Sequence, residues 1–247
     1  MKNSKIDNIS EETEGRARIL FGWQLKRVAC VAFIWSLFQL WYASPLPFIV
    51  GFGVFIDVPA RAIHLGFGLF LAFLLFPFNK KNRSKKINIL NFFLSIIAFF
   101  VTFYLFYNYE ALVYRNGVLL KHPLSLFGNE YLFPTELIIG GIGILLLLEA
   151  TRRAIGVPLV IVASIFLIYS IFGRSMPEMI SHQGLSLKRL VGYHWFGGEA
   201  IFGIPISVSV SFVFLFVLFG SMLDFAGGGK YFLDLAIALV GKFRGGP

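Results

Sequence analysis

The sequence predicts an all-α integral membrane protein with about six transmembrane helices and further interfacial helices. Three observations predict it. Of 247 residues, 57% are hydrophobic and 14% charged, against roughly half and a quarter in an average soluble chain. The apolar residues, thirty phenylalanines among them, fall in long runs that one globular core of this length cannot bury. The basic residues gather in alternate linkers between those runs. That pattern is a topology signal, and it reassigns the formal charge of +9 from nucleic acid to membrane.

The elements follow in order. Residues 1–27 mix Glu11, Glu12 and Glu14 with Arg16, Arg18, Lys26 and Arg27. They lack the short apolar region and small-residue cleavage site of a removed leader and read as a cytoplasmic tail. Apolar runs then cover 28–44, 62–78, 87–107, 134–150, 156–173 and 201–223, each near the roughly 20 residues that cross hydrocarbon as a helix. Helix is the default because a lone strand in lipid leaves its backbone unpaired. Pro45 and Pro47 end the first run, and 45–60 is expected in the outer interface, anchored by Trp41 and Tyr42. The loop 109–133 is external and mildly aromatic. The stretch 174–200 is polar enough to leave the bilayer, with a short surface helix over 185–190. Gly156 ends the fourth helix and Pro158 opens the fifth. After residue 223 a glycine cluster stops the last span, and an apolar helix carrying Lys230 and Asp234 is expected to lie along the interface.

Sixteen of the 22 basic residues fall on one side of this layout and six on the other. The positive-inside rule therefore places both termini in the cytoplasm, in a multi-pass protein of the inner (plasma) membrane with lipid as its solvent. Six spans keep that alternation; five or seven break it. Cys30 is the single cysteine, so no internal disulfide forms, and it reads as a small packing residue.

Candidate site residues are few. Glu149 lies three and four residues before Arg152 and Arg153, within ion-pair reach on one helix, and the arginines favour a helix C-terminus. They read as a topology anchor with a local ion pair, as a contact between domains, or as a substrate contact. Asp224 with Gly227, Gly228 and Gly229 marks a broken backbone at the membrane face, a feature that lines cavities in transporters. Glu136 is expected near the outer interface at a helix N-terminus. Gly140, Gly141 and Gly143 signal close helix packing. Arg61 and His64 open the second span, His64 as a solvated or hydrogen-bonded residue near the interface. Ser207, Ser209 and Ser211 bring hydroxyls into the sixth span as packing contacts. The four histidines are scattered, so no metal site is read. There is no phosphate-binding glycine loop and no Ser/His/Asp pattern, and the chain reads as neither an enzyme nor a cofactor protein.

Five stretches, taken in order, resemble the fused permeases of TRAP transporters. They are Arg61–Phe67 with Phe73–Pro77, Glu149–Gly156, Gly203–Gly220, Gly227–Phe232 and Gly241–Pro247. The branch most similar is the one served by TAXI-type solute-binding proteins, and the resemblance runs from about residue 28 to the end. It implies a secondary transporter that takes up organic acids delivered by an extracytoplasmic solute-binding protein. Sodium or protons would drive an elevator-type movement. It also implies a small Q-like membrane domain over 28–130 and the start of a large M-like transport domain over 131–247. In the family that large domain continues much further, through hairpins that bind ion and substrate. The expectation is therefore an N-terminal part of a permease whose partner is the remainder of that permease. Two rivals from other classes are a structural membrane subunit docking onto a separately encoded transport domain, and a membrane-embedded transferase. The transferase reading lacks a convergent cluster of His, Asp or Glu.

Overall fold

The computed structural model describes residues 17, 18, 20–78, 87–115, 118–126 and 129–240. The linker with Lys80, Lys81, Arg83, Lys85 and Lys86, most of the tail, and residues 241–247 lie outside the described residues. Helix α1 (Trp23–Ala43) ends where Ser44 returns its N–H to Leu40 and Trp41, just before Pro45. A single short helix α2 (Leu46–Val50) stops at Gly51, whose φ of 71° is open to glycine at little cost. The chain then runs extended into α3 (Asp57–Leu75), with Asp57 and Pro59 in its first turn. Helix α4 (Ile89–Tyr114) follows. An antiparallel hairpin of β1 (His122–Leu126) and β2 (Asn129–Phe133) leads into α5 (Thr135–Ala154). Gly156, at φ 133°, turns the chain into α6 (Val157–Phe172).

Past α6, two 3-10 turns precede α7 (Leu187–Val191), which runs into a π-helical turn over Gly192–Phe196. The last long helix is composite: α8 (Ile204–Val208), a π turn over Ser209–Val213, and α9 (Phe214–Phe225). Helix α10 (Gly228–Val240) follows.

Among the described residues, four helices are long and apolar enough to cross a membrane: Asp57–Leu75, Ile89–Tyr114, Val157–Ser175 and Ile204–Phe225. The other two expected spans are α1 and α5, of 21 and 20 residues. They match the rest in length and differ in composition. Helix α5 carries Glu136, Glu149, Arg152 and Arg153, and α1 carries Gln24, Lys26, Arg27 and Gln39.

The bundle is organised around α3. In its most apolar window 56% is buried, against 6% for α6 and for the 204–225 helix. Helices that are apolar all round yet bare on most faces are built for lipid contact. The largest cluster joins Val58, Ala62, Leu105, Ile144, Trp195 and Phe202, so residues from both ends of the chain share one core. Gly66 lets α3 approach α4, since a Cβ there would lie 2.5 Å from the Thr102 hydroxyl.

Several expectations need correction. The second span starts at Asp57, not 62, because Pro59 fits the first helical turn. The third runs to Tyr114 and takes in part of the expected loop, and strands occupy 122–126 and 129–133. The short helix expected near 185–190 is present over Leu187–Val191 with Leu187, Lys188 and Arg189 exposed, but its far side and part of the turn after it are buried. Leu190, Val191, Trp195 and Phe196 are buried against α5. The glycines of α5 make room for them: a Cβ at Gly143 would strike the Trp195 indole, and one at Gly140 would lie 2.8 Å from the Phe196 ring. Gly141 faces open space, so only two of the three expected packing glycines pack.

Candidate functional site

The ion pair expected at the end of α5 is present. The Glu149 carboxylate bridges two guanidiniums, with Arg152 Nε at 2.7 Å and Arg153 Nε at 2.7 Å. Spacings of three and four residues bring all three side chains onto one face of the helix. Arg153, only 1% exposed at its side chain, donates to Asn91 Oδ1 of α4 at 3.0 Å and stands 4.9 Å over the Phe73 ring of α3. Arg152 lies 4.7 Å over the Phe78 ring. The cluster ties the ends of three helices together. Its polar groups are taken up within the chain, which makes it a clamp.

Asp224 and Gly227, Gly228 and Gly229 sit elsewhere. Among the described residues, no hydrogen bond or ion pair joins them to the 149–153 cluster. Asp224 is exposed, and its carbonyl accepts the Gly227 N–H at 2.9 Å. Gly227 alone breaks the backbone, at φ 81°. Gly228 and Gly229 belong to the first turn of α10.

Two residues named from the sequence, Glu136 and His64, centre polar networks whose partners sequence reasoning did not find. Glu136 lies in the first turn of α5, as expected, and its side chain is fully buried. It pairs with Arg115 Nη2 at 2.9 Å and Nη1 at 3.2 Å, accepts the Tyr104 hydroxyl at 3.1 Å, and accepts the Leu120 N–H. A buried carboxylate persists only with such partners.

The second centre lies inside the bundle. Of the two expectations for His64, solvated or hydrogen-bonded, the structure shows the second: the ring is buried and hydrogen-bonded. Gln39 Nε2 approaches its Nδ1 at 2.8 Å, and Trp35 Nε1–H donates to the same nitrogen at 3.3 Å. Two donors on Nδ1 make it the acceptor. The ring hydrogen therefore sits on Nε2, which donates to Ser209 Oγ at 3.2 Å. Gln39 also donates to the Val210 carbonyl at 3.2 Å. Both partners belong to the π turn of the 204–225 helix, and turns of this type recur at functional sites. Nearby, Arg61 donates to the Phe202 carbonyl at 2.8 Å and pairs with Asp57. Polar groups at membrane depth point to function by default. The available signal was Gln39, an amide in an otherwise apolar run.

Of the three serines of that helix, Ser211 returns its hydroxyl to the Ser207 carbonyl at 2.7 Å, while Ser209 takes the histidine. No group of three or more His, Cys, Asp or Glu among the described residues is placed to hold a metal.

Residues 142–247 match the family model described as "Tripartite ATP-independent periplasmic transporter, DctM component". The matched stretch is somewhat under half of the chain. It takes in the second half of α5 and everything after it, including Glu149, Arg152, Arg153 and the serines that meet His64. No curated protein and no solved structure matches the chain.

Proposed function

We propose that this chain is a permease component of a tripartite secondary transporter, acting in uptake of organic acids with an extracytoplasmic solute-binding protein of the TAXI type. The observation that carries the reading is the DctM match over 142–247. The bundle of apolar helices supports it. On this reading 28–130 is the small Q-like domain and 131–247 opens the large M-like domain. The termini face the cytoplasm, the membrane is the inner membrane, and sodium or protons supply the drive. The remainder of the permease is the principal partner.

The seam between the two parts has a specific construction. Arg61 reaches Phe202, Gln39 reaches Val210 and His64 reaches Ser209. Each tie crosses from the unmatched N-terminal helices to the matched segment. The proposed role of 28–78 is therefore to brace the 204–225 helix. Glu149, Arg152 and Arg153 brace the opposite end of α5 through α4. Neither centre is assigned to cargo.

The test is uptake by whole cells with the encoding gene deleted. Accumulation of labelled mono- and dicarboxylates under a sodium or proton gradient is expected to fall for at least one acid and to return on complementation. Unchanged uptake of every acid overturns the proposal.

A further inference from the structure

A cavity of about 380 Å³ opens between α1, α3 and α4, within the range of about 300–1,000 Å³ common for ligand pockets. It lies where α1 and α4 begin and α3 ends. Its walls are almost wholly apolar, with Val31, Phe70, Leu74 and Phe92 among them. Two polar side chains line it, Gln24 and Arg27. Gln24 Oε1 accepts the Ile87 N–H at 3.2 Å, so its Nε2 hydrogens are what it can offer a ligand. The Arg27 guanidinium lies 5.3 Å from the centroid of Trp23, a ring that is 67% exposed at the head of α1. An exposed tryptophan beside an arginine at a span end is the composition of a membrane–water interface.

The sequence flanking these helix ends is basic in balance, the acidic residues Asp7, Glu11, Glu12 and Glu14 being outnumbered. Lys26 adjoins Arg27, and the sequence on either side supplies Arg16, Arg18, Lys80, Lys81, Arg83, Lys85 and Lys86. A basic end of a helix bundle attracts anionic headgroups, and basic pockets between spans hold them. The apolar walls add a second requirement. Free phosphate has nothing to place against Val31 and Phe70, and a zwitterionic lipid gains no net charge attraction. The ligand that satisfies both is an amphiphile with a phosphate head and an acyl chain.

We infer that this cavity binds an anionic phospholipid of the leaflet at that face, with Arg27 and Gln24 holding phosphate oxygens and the apolar walls receiving an acyl chain. The site rests on membrane embedding and is independent of the transport reading.

The full chain, purified in detergent and delipidated, is probed with phosphatidylglycerol, with phosphatidylcholine of the same acyl chains, and with inorganic phosphate. Binding is read by native mass spectrometry and by thermal shift. Phosphatidylglycerol is expected to bind and raise Tm; the other two are expected to leave it unchanged. Arg27→Gln should weaken phosphatidylglycerol binding about fivefold, with the apo Tm retained because Arg27 is exposed. Val31→Trp should fill the cavity and abolish the lipid shift. Equal binding of both lipids, a shift from phosphate alone, or undiminished phosphatidylglycerol binding by either variant overturns the assignment.

Discussion

Replacing Glu136 by Gln tests how the start of α5 is held against α4. The carboxylate receives four donors: the Tyr104 hydroxyl, two Arg115 N–H groups and the Leu120 N–H. Glutamine keeps one acceptor oxygen and turns an NH2 group toward the others. At least two bonds to a charged group are lost, at about 1.5–3 kcal/mol each. Arg115, whose side chain is 23% exposed, is also left without its counter-charge. Removing one partner of a buried pair costs about 3–5 kcal/mol. At about 2–4 °C per kcal/mol for a chain of this length, Tm in detergent should fall by roughly 10 °C. Arg115→Met alone should be similarly damaging, because it strands the carboxylate. The double variant should recover part of the loss, since a pair exchanged for apolar groups is often near neutral. A Tm change under about 2 °C for Glu136→Gln, or strict additivity in the double variant, would refute the reasoning.

Two further predictions concern α5. Arg153→Gln should cost about 2–3 kcal/mol and Arg152→Gln under about 1 kcal/mol, because their side chains are 1% and 31% exposed; equal denaturation midpoints for the two would contradict the clamp. Gly143→Ala should cost about 1–3 kcal/mol through collision with Trp195. Gly141→Ala meets nothing within 4 Å and should be neutral or gain about 0.5–1 kcal/mol of helix propensity; a thermal shift pair showing the reverse order would remove the packing argument.

The long helices were legible because each is built on an extended apolar run, a signal that needs no partner to be read. The Glu149 clamp was legible for a related reason: its charges are three and four residues apart on one helix. Glu136 was not, because its counter-charge lies 21 residues back, across the hairpin. A carboxylate in the first turn of a helix also has a sufficient local explanation in the dipole. The buried face of 187–196 was hidden by Ser186, Lys188 and Arg189, which make the stretch look solvated. Its apolar members Leu190, Val191, Trp195 and Phe196 are too few to register as a run. His64 posed the same problem. Its partners come from 25 and 145 residues away, and only the fold brings them together.

The contacts around His64 fix more than proximity. Gln39 holds two acceptors on different helices at 2.8 and 3.2 Å, and Arg61 grips a backbone carbonyl a turn away. One residue of helix rises 1.5 Å, so sliding the 204–225 helix by a single position along α3 would stretch the Gln39–Val210 and His64–Ser209 bonds, while the Gln39–His64 contact, which joins α1 to α3, would stay. At about 0.5–1.5 kcal/mol net for each hydrogen bond, those two bonds oppose such a slide at this boundary. The register of α1, α3 and the 204–225 helix is thus set by named side chains, Gln39, Arg61 and His64, as well as by apolar packing.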